Sequence, residues 1–274
     1  MTSGTVGIVG GSGLYELLDA PTTHAISTPY GAHAEGLTTG AFAGREVAFI
    51  PRHGLGHALP PHRVNYRANL WALASLGVTH VIAPCAAGSL QPDLAPGAFV
   101  VPDQVVDRTS GRAGTFVEHG AVHVRFADPY CPVVRATLGD AARSDGGDFA
   151  DEGTMVVIDG PRFSSRAESA WHQRQGWHLV NMTGQPEAAL ARELALCYSP
   201  LAVVTDMDAG VAGNPAVTQF DALATFARSL ERLNRVLDKA VRGLPEHRDC
   251  ECGNALEGMS VDYLPPDQGR GVNA

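Results

Sequence analysis

The sequence predicts an α/β fold in a single domain, with a core of strands that are buried on both faces. Two observations support this prediction. Short apolar runs rich in valine and isoleucine recur along the chain, and helix-like stretches separate them, as in sheets with helical crossovers. The chain has 274 residues, of which 45% are hydrophobic and 18% are charged, so it can bury a large core.

The order of the elements follows from the pattern of apolar residues. Strands are predicted at residues 6–9, 47–50, 78–83, 155–158, 178–180 and 201–204. Helices are predicted at residues 65–76 and 186–197, and a third helix runs from a capping box at Thr218 and Asp221 to Gly243 and Pro245. The third helix has an apolar stripe that is predicted to pack on the sheet, formed by Leu223, Phe226, Leu230, Leu233 and Leu237.

The outline of the domain is also predicted. Residues 1–245 are expected to form the folded domain, with residues 107–150 as an excursion of lower apolar density. Residues 246–274 are expected to form a polar, flexible tail. In that tail, Cys250 and Cys252 form a C-x-C pair that lacks the second ligand pair of a structural zinc site, so no metal is predicted. Cys85, Cys131 and Cys197 lie in or beside apolar segments and are predicted to be buried thiols.

Charge and hydropathy exclude several classes of protein. Lysine and arginine number 20 against 29 aspartates and glutamates, a formal net charge of −9, whereas nucleic-acid-binding proteins normally carry a basic excess. The sequence shows no apolar run of about 18 residues and no signal-peptide pattern. It therefore predicts a cytoplasmic protein that binds neither nucleic acid nor a membrane.

The cluster after the first strand, Gly10-Gly-Ser-Gly13, is a candidate anion site. It is neither a dinucleotide fingerprint, because Glu16 occupies the position of the third glycine, nor a P-loop. What remains is a glycine-rich turn that offers the Ser12 hydroxyl and backbone N–H groups to an anion. Arg52 and His53 follow the second strand, and an arginine there can bind phosphate in bidentate fashion. With a turn at residues 86–89 and with Thr183, these groups predict a site for a phosphate-sized anion, since ligands of open sheets bind beyond the strand ends.

Two acidic residues end the last predicted strand. Asp206 and Asp208 are two positions apart, so both carboxylates point to the same face of an extended strand. Each raises the pKa of the other, and a carboxylic acid that stays protonated near neutrality can donate a proton to a ring nitrogen. A helix N-cap is the alternative interpretation; a metal site is disfavoured because no further carboxylates lie nearby in sequence.

Together these segments resemble the methylthioadenosine phosphorylase branch of the purine nucleoside phosphorylase family. The matching segments span residues 5–240 and appear in the family's order: Gly10-Gly-Ser-Gly13, Pro51-Arg-His-Gly54, residues 64–73, residues 160–169, Asn181-Met-Thr183 and Thr205-Asp-Met-Asp208. The resemblance implies one α/β domain around a mixed, partly barrel-like sheet, assembled as a homotrimer. It also implies phosphorolysis of a purine nucleoside, with inorganic phosphate as co-substrate and no cofactor.

The resemblance further implies a role for each matching position. The implied phosphate site comprises Ser12, Arg52, His53, Cys85, Ala86 and Thr183. Met182 is implied to lie under the ribose and Ser164 near the base. Asp206 is the implied catalytic acid at purine N7, and Asp208 is implied to accept a hydrogen bond from a 6-amino group. The implied reaction converts 5′-methylthioadenosine to adenine and 5-methylthioribose 1-phosphate.

Two positions depart from the family pattern. Cys85 stands where relatives commonly have threonine, which is a stronger hydrogen-bonding group. Gln219 stands where methylthioadenosine enzymes often place an apolar residue against the 5′-methylthio group. Adenosine, another 5′-modified adenosine and a broader set of purine nucleosides are therefore alternative substrates. The rival functions are a nucleosidase, which has no need of a phosphate site, and a nucleoside sensor, which has no need of the costly Asp206 carboxylate.

Overall fold

A computed structural model describes residues 5–11, 13–14, 16–214 and 216–266. Within these residues the strands are β1 (Thr5–Gly10), β2 (Asp19–Thr23), β3 (Thr38–Phe42), β4 (Arg45–Pro51), β5 (Val78–Ser89), β6 (Phe99–Val100), β7 (Gln104–Arg108), β8 (Phe149–Ala150), β9 (Thr154–Ile158), β10 (Leu179–Asn181) and β11 (Cys197–Met207). The helices are α1 (Tyr66–Ser75), α2 (Pro132–Asp145), α3 (Arg166–Arg174), α4 (Gly184–Glu193) and α5 (Gln219–Gly243). The prediction of a single α/β domain with a mixed sheet is confirmed.

The sheet branches at its central strand, β5. The main path runs β2-β3-β4-β1-β5-β10-β9-β7, and β11 pairs with the other edge of β5 and continues to β6 and β8. β1, β5 and β11 are parallel, whereas β10 pairs antiparallel with the last two residues of β5. The carboxyl ends of β1, β4 and β11 and the second half of β5 therefore meet on one side of the molecule.

Helices cover the sheet on both faces. α1 and α4 pack against each other on one face, and α2 and α5 pack against each other and against β11 on the other face. Most of the apolar stripe of α5 is buried as predicted; Leu233 and Leu237 are fully covered. Leu223 departs from the prediction, because it is 48% exposed at the first turns of the helix. No helix among the described residues combines the length and apolar character that crossing a membrane requires.

Two predictions of local structure were wrong, and the helix α2 was not predicted. β5 runs on through residue 89, where a turn was predicted at residues 86–89, because small residues there fit between two neighbouring strands. α2 lies in the segment interpreted as an excursion; its buried positions are mostly alanine and glycine, which lowered the apolar density. The expected flexible tail includes Cys252, Leu256 and Tyr263, which are all buried, and the Tyr263 carbonyl accepts a hydrogen bond from Trp71 Nε1 at 2.9 Å.

Candidate active site

A cavity of about 730 Å³ lies where the strand ends meet. The predicted site residues that line it are Arg52, His53, Cys85, Ala86, Ser164, Met182, Thr183, Asp206, Asp208 and Gln219. Ser12 lies outside the described residues, although its neighbour Gly11 lines the cavity. The fold therefore brings together residues from Gly11 to Phe226, which are distant in the sequence.

Asp206 and Asp208 are placed by β11. Asp206 lies within the strand and Asp208 directly follows it, so neither is a helix N-cap. Burial raises the pKa of Asp206, and the Asp208 charge raises it further. A hydrogen bond of 2.7 Å, which Thr205 Oγ1 donates to Asp206 Oδ2, acts in the opposite direction and lowers the pKa. Asp208 is 3% exposed, and its Oδ2 accepts a hydrogen bond of 2.6 Å from Ser169 Oγ on α3. The site thus holds one carboxyl whose pKa is raised beside one that is fixed in orientation.

Gly88 makes room for this pair. It lies opposite Asp206 in the parallel register of β5 and β11. A Cβ at position 88 would lie 2.9 Å from Asp206 Oδ1 and 3.6 Å from Asp208 Cβ. Because 2.9 Å is shorter than real Cβ contacts, any side chain here displaces the Asp206 carboxylate.

The Arg52 guanidinium is bonded within the protein rather than open to an anion. Its Nε and Nη2 donate to the two carboxylate oxygens of Glu187 at 2.7 and 2.9 Å, and Nη1 and Nη2 also donate to the carbonyls of Pro84 and Val9. Burial opposes the Arg52 charge, but Glu187 outweighs it and raises the pKa of Arg52 above its usual value. The expectation of a bidentate grip on phosphate is therefore corrected. One N–H of Nη1 is left without a partner among the described residues.

His53 faces the same end of the cavity as a neutral ring. Its Nδ1 lies 2.8 Å from the Leu59 carbonyl oxygen, which can only accept, so Nδ1 carries the proton and Nε2 carries a lone pair. Burial, followed by the charge of Arg52, lowers the pKa of His53 to about 3. His57 stacks on it with ring centroids 4.1 Å apart, and burial lowers the pKa of His57 as well. His53 thus offers a hydrogen-bond acceptor to the cavity.

Thr183 and Cys85 complete this end of the site. Thr183 is buried at the start of α4, where Asn181 Oδ1 accepts from the backbone N–H groups of Thr183 and Gly184 at 2.8 and 2.6 Å. Asn181 Nδ2 donates to the Ala86 carbonyl at 2.8 Å, which ties β10 to β5 at the cavity. Burial raises the pKa of Cys85 to about 12, so its side chain is a neutral thiol.

Ser164 and Met182 also line the cavity. Ser164 is 8% exposed, and its Oγ has no hydrogen-bond partner in the part of the chain that the structure describes. Met182 packs over Gly160, where a Cβ would lie 2.5 Å from its sulfur, so only glycine permits this placement. A cavity-lining hydroxyl without a partner is suited to bond a ligand.

Gln219 lies at the cavity mouth. It is the first residue of α5 after the Thr218 N-cap, and it is exposed together with Phe220, which is 80% exposed. Leu223, one turn later, also lines the cavity. The Gln219 amide therefore reaches the rim rather than a closed pocket, and water can satisfy it.

Sequence reasoning missed several residues that shape the site. Glu187 was not identified, although it is an acid in a predicted helix, and Gly88 was placed in a predicted turn without its close approach to Asp206. Arg112 was also missed; its Nη1 donates to the Met182 and Gln185 carbonyls at 2.9 and 2.6 Å, and its Nη2 to the Asp159 carbonyl at 2.8 Å. Each acts through a partner more than 35 positions away, and only the fold shows such pairs.

Comparison with known proteins identifies the family of this chain. A family model described as the phosphorylase superfamily matches residues 5–242, and the chain belongs to that superfamily. A purine nucleoside phosphorylase of Streptomyces coelicolor is 52% identical, over 95% of this chain and 97% of the relative. An S-methyl-5′-thioadenosine phosphorylase of Mycolicibacterium smegmatis is also 52% identical, over 95% of this chain and 99% of the relative. The solved methylthioadenosine phosphorylase of Schistosoma mansoni in complex with adenine is 39% identical with a TM-score of 0.83, covering 86% of this chain and 90% of that chain.

Proposed function

We propose that this chain is a pentosyltransferase that cleaves 5′-methylthioadenosine with inorganic phosphate, giving adenine and 5-methylthioribose 1-phosphate. The observation that carries the proposal is the pair of carboxyl groups of Asp206 and Asp208 at one cavity wall. The names of two relatives, from M. smegmatis and S. mansoni, support the same substrate.

The carboxyl pair acts on the purine. The bond between N9 and C1′ breaks with its electron pair passing to the purine, while the sugar becomes oxocarbenium-like. Asp206, whose raised pKa favours the protonated form, donates its proton to N7 and so stabilises the leaving group. The Asp208 oxygen that Ser169 does not bind accepts a hydrogen bond from the 6-amino group. A 6-oxo oxygen at this place is repelled by the same carboxylate.

A second group of lining residues is assigned to phosphate. We infer that Thr183 Oγ1, the remaining N–H of Arg52 and the glycine-rich segment at residues 10–13, which the sequence predicts to be an anion site, donate to phosphate oxygens, beside Cys85 and Ala86 on β5. His53 Nε2 accepts the hydrogen of a protonated phosphate oxygen. When a phosphate oxygen attacks C1′, phosphate releases one proton to solvent, and Asp206, which gave its proton to N7, regains one from solvent after adenine leaves, so the overall reaction is balanced without another reactant. Positioning of the two substrates in this way supplies much of the rate.

The second candidate substrate carries a 5′-hydroxyl group. The Gln219 amide at the rim can bond such a hydroxyl, directly or through water, and the S. coelicolor relative is named a purine nucleoside phosphorylase. Adenosine is therefore the substrate to compare with 5′-methylthioadenosine.

We also propose that the chain works as a homotrimer in the cytoplasm, with no cofactor beyond phosphate and no metal in the reaction. Phe220 and Leu223, large apolar residues exposed beside the cavity mouth, support a partner surface there. The mass of the assembly in solution, measured by light scattering, tests the trimer.

A phosphate titration tests the activity. Purine release from 5′-methylthioadenosine, adenosine and inosine is followed by chromatography with phosphate from zero to saturation. We expect release only with phosphate, and the highest catalytic efficiency with 5′-methylthioadenosine. Release at zero phosphate identifies a nucleosidase, and binding without release identifies a sensor; either result overturns the proposal.

A further inference from the structure

Four of the five cysteines come together far from the cavity. The Sγ atoms of Cys131, Cys197, Cys250 and Cys252 all lie within 4.8 Å of one another. Cys250 Sγ is 3.6 Å from Cys131 Sγ and 3.4 Å from Cys197 Sγ. Cys131 directly precedes α2, Cys197 begins β11, and the C-x-C pair comes from the C-terminal segment. The fold thus supplies the second pair of sulfurs that the sequence around residue 250 lacks.

The spacing fits one tetrahedral metal ion. A Zn²⁺ ion with Zn–S bonds of about 2.3 Å places its four sulfurs about 3.8 Å apart, within the separations found here. Soft thiolate ligands select zinc over the hard cations, and four protein ligands close the site against water. Cys131, Cys197 and Cys252 are buried and Cys250 is partly exposed, which leaves a way in for the ion.

The surroundings suit a site with two net negative charges. His80 lies opposite Cys197 in the register of β5 and β11, and its buried Nε2 has no hydrogen-bond partner among the residues described. An N–H group that donates to a ligating sulfur is a common support of metal sites. Arg45 and Arg248 interact electrostatically with the same histidine and bring positive charge to this corner.

We propose that Cys131, Cys197, Cys250 and Cys252 bind one Zn²⁺ ion in a closed structural site that fastens the C-terminal segment to the core. Cys252 is 2% exposed and belongs to the core that α2 and α5 cover. Asp206 follows Cys197 by nine positions on the same strand, so the ion lies about 30 Å from the Asp206 carboxyl group. It holds the fold and takes no part in the reaction.

Metal content and thiol count test the site together. The full chain is purified under reducing conditions without a metal-affinity step. It is then dialysed first against equimolar zinc and afterwards against metal-free buffer. Zinc bound to the protein is measured by mass spectrometry before and after this dialysis. Thiols are counted with Ellman's reagent in denaturant with a chelator and no reductant. We expect one zinc per chain and five thiols, the fifth being Cys85. If the chain holds no zinc tightly, the proposal is overturned. This holds if all five thiols are free, and it holds equally if one or two disulfides reduce the number of free thiols to three or one.

Substitutions and a spectroscopic probe locate the ion. Cys250→Ser is expected to lose the zinc and to lower the Tm, whereas Cys85→Ser, the matched control, keeps one zinc per chain. Cobalt in place of zinc is expected to give the intense sulfur-to-metal charge-transfer bands of a tetrahedral tetrathiolate. If Cys250→Ser keeps its zinc, or if bound cobalt does not give those bands, the ion lies elsewhere and the assignment is overturned. The cobalt spectrum is taken on the unaltered chain, so it decides the question even if a variant fails to fold.

Discussion

Replacing Glu187 with glutamine tests how Arg52 is used. Three donors converge on this buried carboxylate, namely Arg52 Nε at 2.7 Å, Arg52 Nη2 at 2.9 Å and the Tyr198 hydroxyl at 2.8 Å. Glutamine has the same shape, but its amide has only one oxygen, so in the variant the NH₂ group faces N–H or O–H donors. The Arg52 charge also loses its counterion. Breaking one side of a buried pair costs about 3–5 kcal/mol. For a chain of this length that lowers the Tm by roughly 10 °C.

The response to phosphate then shows whether Arg52 faces the bound anion. In Glu187→Gln, phosphate becomes the counterion of Arg52, and a hydrogen bond to a charged group is worth about 1.5–3 kcal/mol. We therefore expect phosphate to bind at least about tenfold more tightly to the variant and to raise its Tm by more than it raises that of the unaltered protein.

The assay is differential scanning fluorimetry over a phosphate series, with chloride at matched ionic strength. Glu193→Gln is the matched control, since Glu193 is also buried on α4 and accepts from two neutral donors, Thr115 Oγ1 and the Phe116 N–H. Its phosphate response should equal that of the unaltered protein. If phosphate stabilises Glu187→Gln no more than the unaltered protein, Arg52 does not contact phosphate and the anion site lies elsewhere.

Three further predictions concern the purine side of the cavity. Asp206→Asn should lower kcat by about 10²–10⁴-fold with little change in KM. Because the protonated form of Asp206 is the active one, the activity of the unaltered enzyme should fall as the pH rises through the raised pKa of Asp206. The pH profile of the variant should lack that fall. Gly88→Ala should displace the Asp206 carboxylate and cost about 10²-fold in kcat while the Tm stays close to normal, and a variant with full kcat would refute the close approach. Gln219→Val should raise the ratio of the catalytic efficiency with 5′-methylthioadenosine to that with adenosine by a factor of about four, because the valine adds one apolar contact of about 0.8 kcal/mol. An unchanged ratio would show that the amide does not contact the 5′ group.

The six strands that the sequence predicted all lie in the sheet, because they depend on local patterns, whereas β2, β3, β6, β7 and β8 were not predicted. Runs such as residues 6–9 and 47–50 are buried on both faces, and the polar residues that follow them lie at one edge by the geometry of parallel strands. What it could not predict depends on pairs that are distant in the chain. Arg52 looked free because Glu187 lies 135 positions later, and the C-x-C pair looked incomplete because Cys131 and Cys197 join it only in the fold.

The bond between His53 Nδ1 and the Leu59 carbonyl bears on how the enzyme would tell similar anions apart. It leaves a lone pair at Nε2, which attracts an oxyanion only where that oxyanion carries a hydrogen. Sulfate has the size and shape of phosphate but is fully deprotonated near neutral pH. A sulfate oxygen therefore faces the Nε2 lone pair without a hydrogen between them, and the two repel each other. Arg52 adds little compensating attraction, because Glu187 already neutralises it. In the proposed phosphate site, the tautomer of His53 would therefore favour phosphate over sulfate.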